Sequence, residues 1–163
     1  LSTEALPLAP ATARALAVVS TGTITTVLLK KGLRNVWLRG TRPLAPGQAR
    51  AVGRAFTLRF VPAREDLATP ASWGSPVSTR AAIECMPSGC IAVVGAMGVT
   101  DAGIFGDILC ARMVKRGVSA LVTDGVVHLW GLVGSPEERR ALVALAEEVP
   151  GVTRVADEMI PAY

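Results

Sequence analysis

Between Arg54 and Val61 apolar and polar side chains alternate, with Phe56, Leu58 and Phe60 on one side and Thr57 and Arg59 on the other. That period of two predicts a half-buried strand. Ile91 to Val94 and Val118 to Val122 are short apolar runs of the kind carried by strands buried on both faces. Between such runs the spacing turns helical. Ala11 to Val19 reads as a helix on its alanines and leucines. A second helix has Thr23 as its cap, Ile24, Val27 and Leu28 on one face, Lys30 and Lys31 at its negative end and Gly32 as its stop. A third runs from about Ser78 to Met86, closed by Pro87 and Gly89. The fourth starts at Asp107, carries Leu109, Cys110, Met113 and Val114 as an apolar stripe, and ends on Lys115, Arg116 and Gly117.

Past Val122, the turn Thr123-Asp124-Gly125 leads into the alternating Val126 to Trp130, a hairpin signal. Ser135-Pro136-Glu137-Glu138 is a capping box with proline at the first helical position. It opens a helix that buries Leu142, Leu145, Ala146 and Val149 and stops at Pro150-Gly151, before a closing strand from Val152 to Ile160. Residues 42–48, 62–76 and 95–106, rich in proline or glycine, are loops. Strands alternating with helices predict an α/β fold, a mixed sheet of short strands with covering helices.

The 163 residues suffice for one core, with or without a small appendage, and not for two full domains. Half of them are hydrophobic, 18% are charged, and mean hydropathy is +0.43. Such a balance implies apolar surface covered by another subunit, so self-association is expected. Cys90 to Val99, the longest nearly uncharged apolar run, is about half the length that crosses a bilayer, and no transmembrane helix is expected. Leu1 to Pro10 lacks a basic start and a long apolar stretch, so no signal peptide is expected there. Cys85, Cys90 and Cys110 are odd in number, without CxxC spacing, and read as three free buried thiols in a reducing, cytoplasmic setting. Basic residues outnumber acidic ones by 17 to 13, but the pairs Lys30/Lys31, Lys115/Arg116 and Arg139/Arg140 are spread along the chain. With aromatics at 4% there is little to stack on bases, and no nucleic-acid partner is expected. Trp37, Trp73 and Trp130 are expected in the core or at a subunit interface.

One feature has chemistry in it. The free backbone amides of Gly106, Asp107, Ile108 and Leu109, after a glycine-rich loop and at the positive end of a helix, form a candidate anion hole for a carboxylate or phosphate. The competing reading is that Gly103 and Gly106 only turn a strand into a helix that Asp107 caps. The loop lacks the Gly-Lys-Ser/Thr ending of a nucleotide-binding loop. Asp101 and Asp107 flank it and are weak candidates for a divalent cation. His128, the only histidine, has no evident Ser or Cys partner, and a packing or surface role is favoured over catalysis.

The runs "GLRNVWLRGTR" from Gly32 and "GCIAVVGAMGVTDAGIFGDILCARMVKRGVSALVTDG" from Gly89 resemble the RraA family, over about residues 16–124. That family includes the hydroxymethyl-oxoglutarate and oxaloacetate-cleaving aldolases and the protein regulators of RNase E. The resemblance implies that the amides at Gly106 to Leu109 hold a substrate carboxylate and keto group. It further implies an Arg-Asp pair after the Asp-Gly turn, the arginine stabilising an enolate and the aspartate helping to hold magnesium. This chain reads His128-Leu129 there. A leucine cannot ligate a hard cation, so no catalytic residue, metal site or cofactor is expected, Asp107 being at most vestigial.

From Val122 onward, "VTDGVVHLWGLVGSPEERRALVALAEEVPGVTRVADEMI" resembles the later ββαβ part of a BON domain, about residues 122–163. BON modules are associated with membranes, phospholipid and larger proteins. Here the acidic pairs Glu137/Glu138 and Glu147/Glu148 disfavour an anionic membrane. The organisation expected is an RraA-like segment, 1–124, and a BON-like segment, 125–163, packed as one unit that shares the helix and strand of 107–123. The abrupt switch at Gly125 points to a recombined or engineered chimera without enzymatic activity, forming a homo-oligomer, a trimer by resemblance. The rival readings are a magnesium-dependent lyase on a small oxo-acid and a BON-type interaction module.

Overall fold

The computed structural model describes residues 8–43, 47–99, 101, 103–147 and 155–161, with the backbone alone for 126–132 and 145. Val149, the stop at Pro150-Gly151 and the first residues of the closing strand lie outside the described residues.

Two short helices, α1 (Pro10–Val18) and α2 (Thr21–Lys30), lead the chain. Helix α2 begins two residues before the expected cap. Ser20, in extended conformation, accepts a hydrogen bond from the Thr23 amide at 3.0 Å and is the cap in its place. Gly32, at φ +82°, ends the turn as expected. Strand β1 (Ala55–Arg59) keeps the predicted alternation, Phe56 and Leu58 half-buried. After a 3₁₀ turn at Pro70–Gly74 comes α3 (Thr79–Glu84), capped by Ser78. The order then runs β2 (Ile91–Gly95), β3 (Gly103–Phe105), α4 (Asp107–Lys115), β4 (Ala120–Thr123), β5 (Val126–Val133), α5 (Pro136–Glu147) and β6 (Val155–Pro161).

The α/β class is as expected, while the pairing differs from a single mixed sheet. Among the described residues there are two three-stranded sheets, β1-β2-β4 and β3-β5-β6, and every pair in them is parallel. The Asp124-Gly125 turn is present but makes no hairpin: β4 ends in the first sheet and β5 starts the middle of the second. Two contacts account for this. The Asp124 carboxylate accepts hydrogen bonds from the Ala96 and Gly98 amides, and Gly125 lies so close to Ala96 and Ile104 that a Cβ there would stand 3.0 and 3.1 Å from them. The chain is thereby pinned across the loop after β2, and β5 continues along β3 instead of folding back on β4.

A single cluster of buried side chains joins the sheets: Ile83, Val94, Met113 and Leu121 around the first, with Phe105, Val133, Ala146 and Met159 from the elements of the second. Phe60 meets Phe105 edge-on, ring centroids 5.9 Å apart. The burial alternates along β2, where Ala92 and Val94 are buried and Ile91 and Val93 half-buried. Of the cysteines, Cys90 and Cys110 are buried thiols as expected. Cys85 is exposed, because it is the C-cap residue of α3 and faces away from the core. Trp37 and Trp73 are likewise not in the core, at 50% and 63% exposure. No single helix among the described residues is long and apolar enough to cross a membrane.

Candidate functional site

The glycine-rich loop leaves β2 at its carboxyl end and returns through β3 into α4. In parallel sheets this end, where loops diverge, is where ligands are usually bound. Asp124 organises it. Its carboxylate accepts from Ala96 at 2.5 Å and from Gly98 at 2.8 Å, holding Met97 between them in the left-handed region at φ +60°. The Ala96 amide bond foremost, helped by that from Gly98 and least by the Arg59 charge, holds Asp124 below the usual carboxylate range against the cost of desolvation. Thr123, the one buried polar side chain among the described residues, accepts a hydrogen bond from the Gly125 amide at 3.0 Å and fixes the turn. The sequence marks Asp124-Gly125 as a turn; that the aspartate clamps a loop 26 to 28 residues away has no local signal.

Gly106 is the N-cap of α4 in extended conformation, and no side chain caps its amides. The structure therefore leaves the first turn at Asp107, Ile108 and Leu109 free of a side-chain partner, the arrangement the anion-hole reading needs. Two features weigh against it. Asp107, exposed in that turn, places a negative charge where an anion would sit, and Ile108 is 78% exposed rather than lining an enclosed site. Leu109 borders an open cleft of about 590 Å³, lined also by Arg64, Trp73, Ser78 and Arg80. There the Arg64 guanidinium is engaged by Asp66, with hydrogen bonds at 2.7 and 2.5 Å, and Arg80 stacks on Trp73, 5.4 Å from the ring centroid. Behind this turn burial, followed by the Asp107 charge, pushes the Cys110 thiol up to about 11, so it is protonated and inert near neutral pH.

Helix α4 is fixed to α3 by a two-pronged Arg112–Glu84 pair at 2.6 and 2.7 Å, and by Arg116 donating to the Met86 carbonyl at 3.0 Å. Asp101 is exposed in the loop before β3. Among the described residues no three His, Cys, Asp or Glu side chains come together in a way that would hold a metal ion. Asp101 and Asp107 alone do not make up the oxygen set magnesium prefers, so the described residues do not fit it. His128 and Leu129 lie on β5, opposite Ala156 and Asp157 of β6 in register; their side chains are outside the described residues. Asp157 is itself taken by Arg139 at 2.7 Å, which holds its carboxyl below the usual range.

An α/β protein with parallel strands, a clamped glycine loop at their carboxyl end and a bare helix start is the class that fold and site define. Its family follows from comparison of the sequence. The model of the RraA-like family, described as Aldolase/RraA, matches residues 21–128, and the chain belongs to that family. The BON domain model matches residues 107–160, so the two matches overlap through α4, β4 and the Asp124 turn. Among solved structures, the chain is similar to Streptomyces coelicolor RraAS2, described as an unusual member of the RNase ES inhibitor RraA protein family. The identity is 28% and the TM-score 0.65, over 93% of this chain and 67% of that one. It is similar in fold to an uncharacterized protein from Pseudomonas syringae pv. tomato str. DC3000, at 21% identity and a TM-score of 0.65, over 98% and 63% of the two chains. The chain thus spans about two thirds of each relative's length. No curated protein matches it.

Proposed function

We propose that this chain is a fold chimera, an RraA-type scaffold over residues 1–124 continued by a BON-like segment over 125–163, recombined or engineered at that join and without lyase activity. One observation carries this reading: His128-Leu129 stands where the family resemblance implies Arg-Asp, at the end of the RraA match. Without the arginine an enolate has no cation beside it, and without the aspartate magnesium loses a ligand. The join is supported by the overlap of the two family matches at 107–128, which lets one helix and one strand serve both segments. We place the protein in the cytoplasm, on its free thiols, and as a self-associating chain with three copies favoured. The test is pyruvate release from oxaloacetate with magnesium by the wild type and by His128→Arg/Leu129→Asp. Pyruvate release by the wild type clearly above the protein-free background would overturn the reading.

A second reading follows from the likeness to S. coelicolor RraAS2 over nearly the whole chain. Restraining a ribonuclease by binding requires a surface and no catalytic pair. It is tested by RNA cleavage by an RNase E-type enzyme at rising concentrations of this chain; an unchanged rate refutes it.

A further inference from the structure

We infer that the cleft between the 3₁₀ turn at Pro70–Gly74 and the start of α3 binds a small aromatic monocarboxylate, its ring against Trp73 and its carboxylate on Arg80. This goes beyond the proposed function and does not depend on it. Large apolar side chains left in water are ordinary when scattered and mark a ligand groove when they converge. Here they converge: Val61, Leu67, Trp73 and Val77, 63 to 82% exposed, all border this one cleft. Its volume of about 590 Å³ lies within the roughly 300–1,000 Å³ of small-molecule sites.

The loop that forms its wall is ordered by its own backbone. The Arg64 carbonyl accepts from the Leu67 and Ala68 amides at 2.9 and 2.7 Å, the Thr69 carbonyl from the Ser72 amide at 2.9 Å, and the Ser75 carbonyl from the Ser78 amide at 3.0 Å. The serine hydroxyls are engaged as well. Ser72 donates to the Thr69 carbonyl, Ser75 accepts from the Val77 amide and Ser78 from the Ala81 amide. Of the two guanidiniums, that of Arg64 is matched by Asp66. Arg80 differs: among the described residues no carboxylate pairs with it, and its contact is the face of the Trp73 ring. The cleft therefore offers one unmatched cation beside an indole and aliphatic walls. A guanidinium takes a planar carboxylate through two parallel hydrogen bonds, and a ring on the ligand packs on the indole, whereas a dianion would leave one charge uncompensated. This is not the amide site of α4. Leu109 alone of that turn borders the cleft, while Asp107 and Ile108 border a separate groove that faces α5.

The experiment is an NMR titration of the isotope-labelled chain with 2-naphthoate and, in parallel, with its uncharged amide. It is read on the Trp73 indole N–H, identified as the signal that Trp73→Phe removes. Naphthoate is expected to shift that signal saturably and to bind about fivefold more tightly than the amide, the advantage of a solvent-exposed charged pair. Arg80→Gln should abolish the advantage and leave binding of the amide where it was, a pattern that general damage to the cleft would not give. No saturable shift of the Trp73 signal would overturn the inference. Equal affinity of the two probes for the wild type would do the same, and that comparison decides the matter should Arg80→Gln fail to fold. Shifts confined to the backbone amides of Asp107 to Leu109 would put the anion at the start of α4 and overturn it too. None of these outcomes bears on lyase activity, so this inference and the proposed function fail separately.

Discussion

Two stretches of the RraA-like part, the glycine loop before α4 and the start of β5, have different fates in this chain. At the glycine loop and the first turn of α4 the backbone is intact, with uncapped amides, a fixed turn at Asp124 and a packed core behind it. Some twenty residues later, on β5, the charged side chains the family resemblance implies are replaced by His128 and Leu129. Backbone features at the glycine loop are held by close packing: a Cβ at Gly125 would press on Ala96 and Ile104 at 3.0 to 3.2 Å, and Asp124 ties down the loop after β2 through the Ala96 and Gly98 amides. Leu129 supplies no oxygen ligand for a hard cation, and His128 is at most a partial substitute for the arginine's charge.

Substitutions that strike the retained half sharpen this contrast. The largest effect is expected at Leu121, fully buried in β4 between the sheets: Leu121→Ala should cost about 3 kcal/mol in chemical unfolding, as buried leucine truncations do. Less is expected from Gly125→Ala, whose Cβ would press on Ala96 and both outer carbons of Ile104 at 3.0 to 3.2 Å; side-chain shifts there cost about 1–2 kcal/mol. Smallest is Asp124→Asn, about 1 kcal/mol near neutral pH once solvent screening of the exposed carboxylate is allowed for. Its sign with pH is fixed. The folded carboxyl titrates below its ordinary value, so its contribution is fully present above about pH 4 and is lost as pH falls through the depressed folded value. Stabilities of wild type and variant should converge as pH falls through that depressed value; a gap that stays constant as pH is lowered would show that the clamp does not titrate.

Much of the fold was legible in local pattern. The alternation around Phe56 and Leu58, the stripe of Cys110 and Met113 and the Ser135 capping box each lie where the periodicity placed them. What the pattern could not show was pairing. Asp-Gly between two apolar runs signals a hairpin, and only the distant amides of Ala96 and Gly98 turn it into a crossing between parallel sheets. The three-residue β3 is too short to carry a period, and the apolar context of Cys85 suggests burial although its helix ends one residue before it and leaves it exposed. At the site, the helix start at Gly106 was readable from glycine and aspartate spacing. The cleft that joins Leu109 to Trp73 and Arg80 was not, since it is assembled from a proline-rich loop without periodicity.

The central claim is that the scaffold persists without the chemistry, and the most direct measurement is magnesium-dependent release of pyruvate from oxaloacetate and hydroxymethyl-oxoglutarate. It is read on a sample shown by circular dichroism to be folded, against metal-free and protein-free backgrounds because oxaloacetate decays unaided. The expected result is a rate indistinguishable from background with both substrates. Turnover clearly above it, abolished by removing magnesium, would contradict the account and mean that the charges missing at His128 and Leu129 are supplied from elsewhere in the assembly.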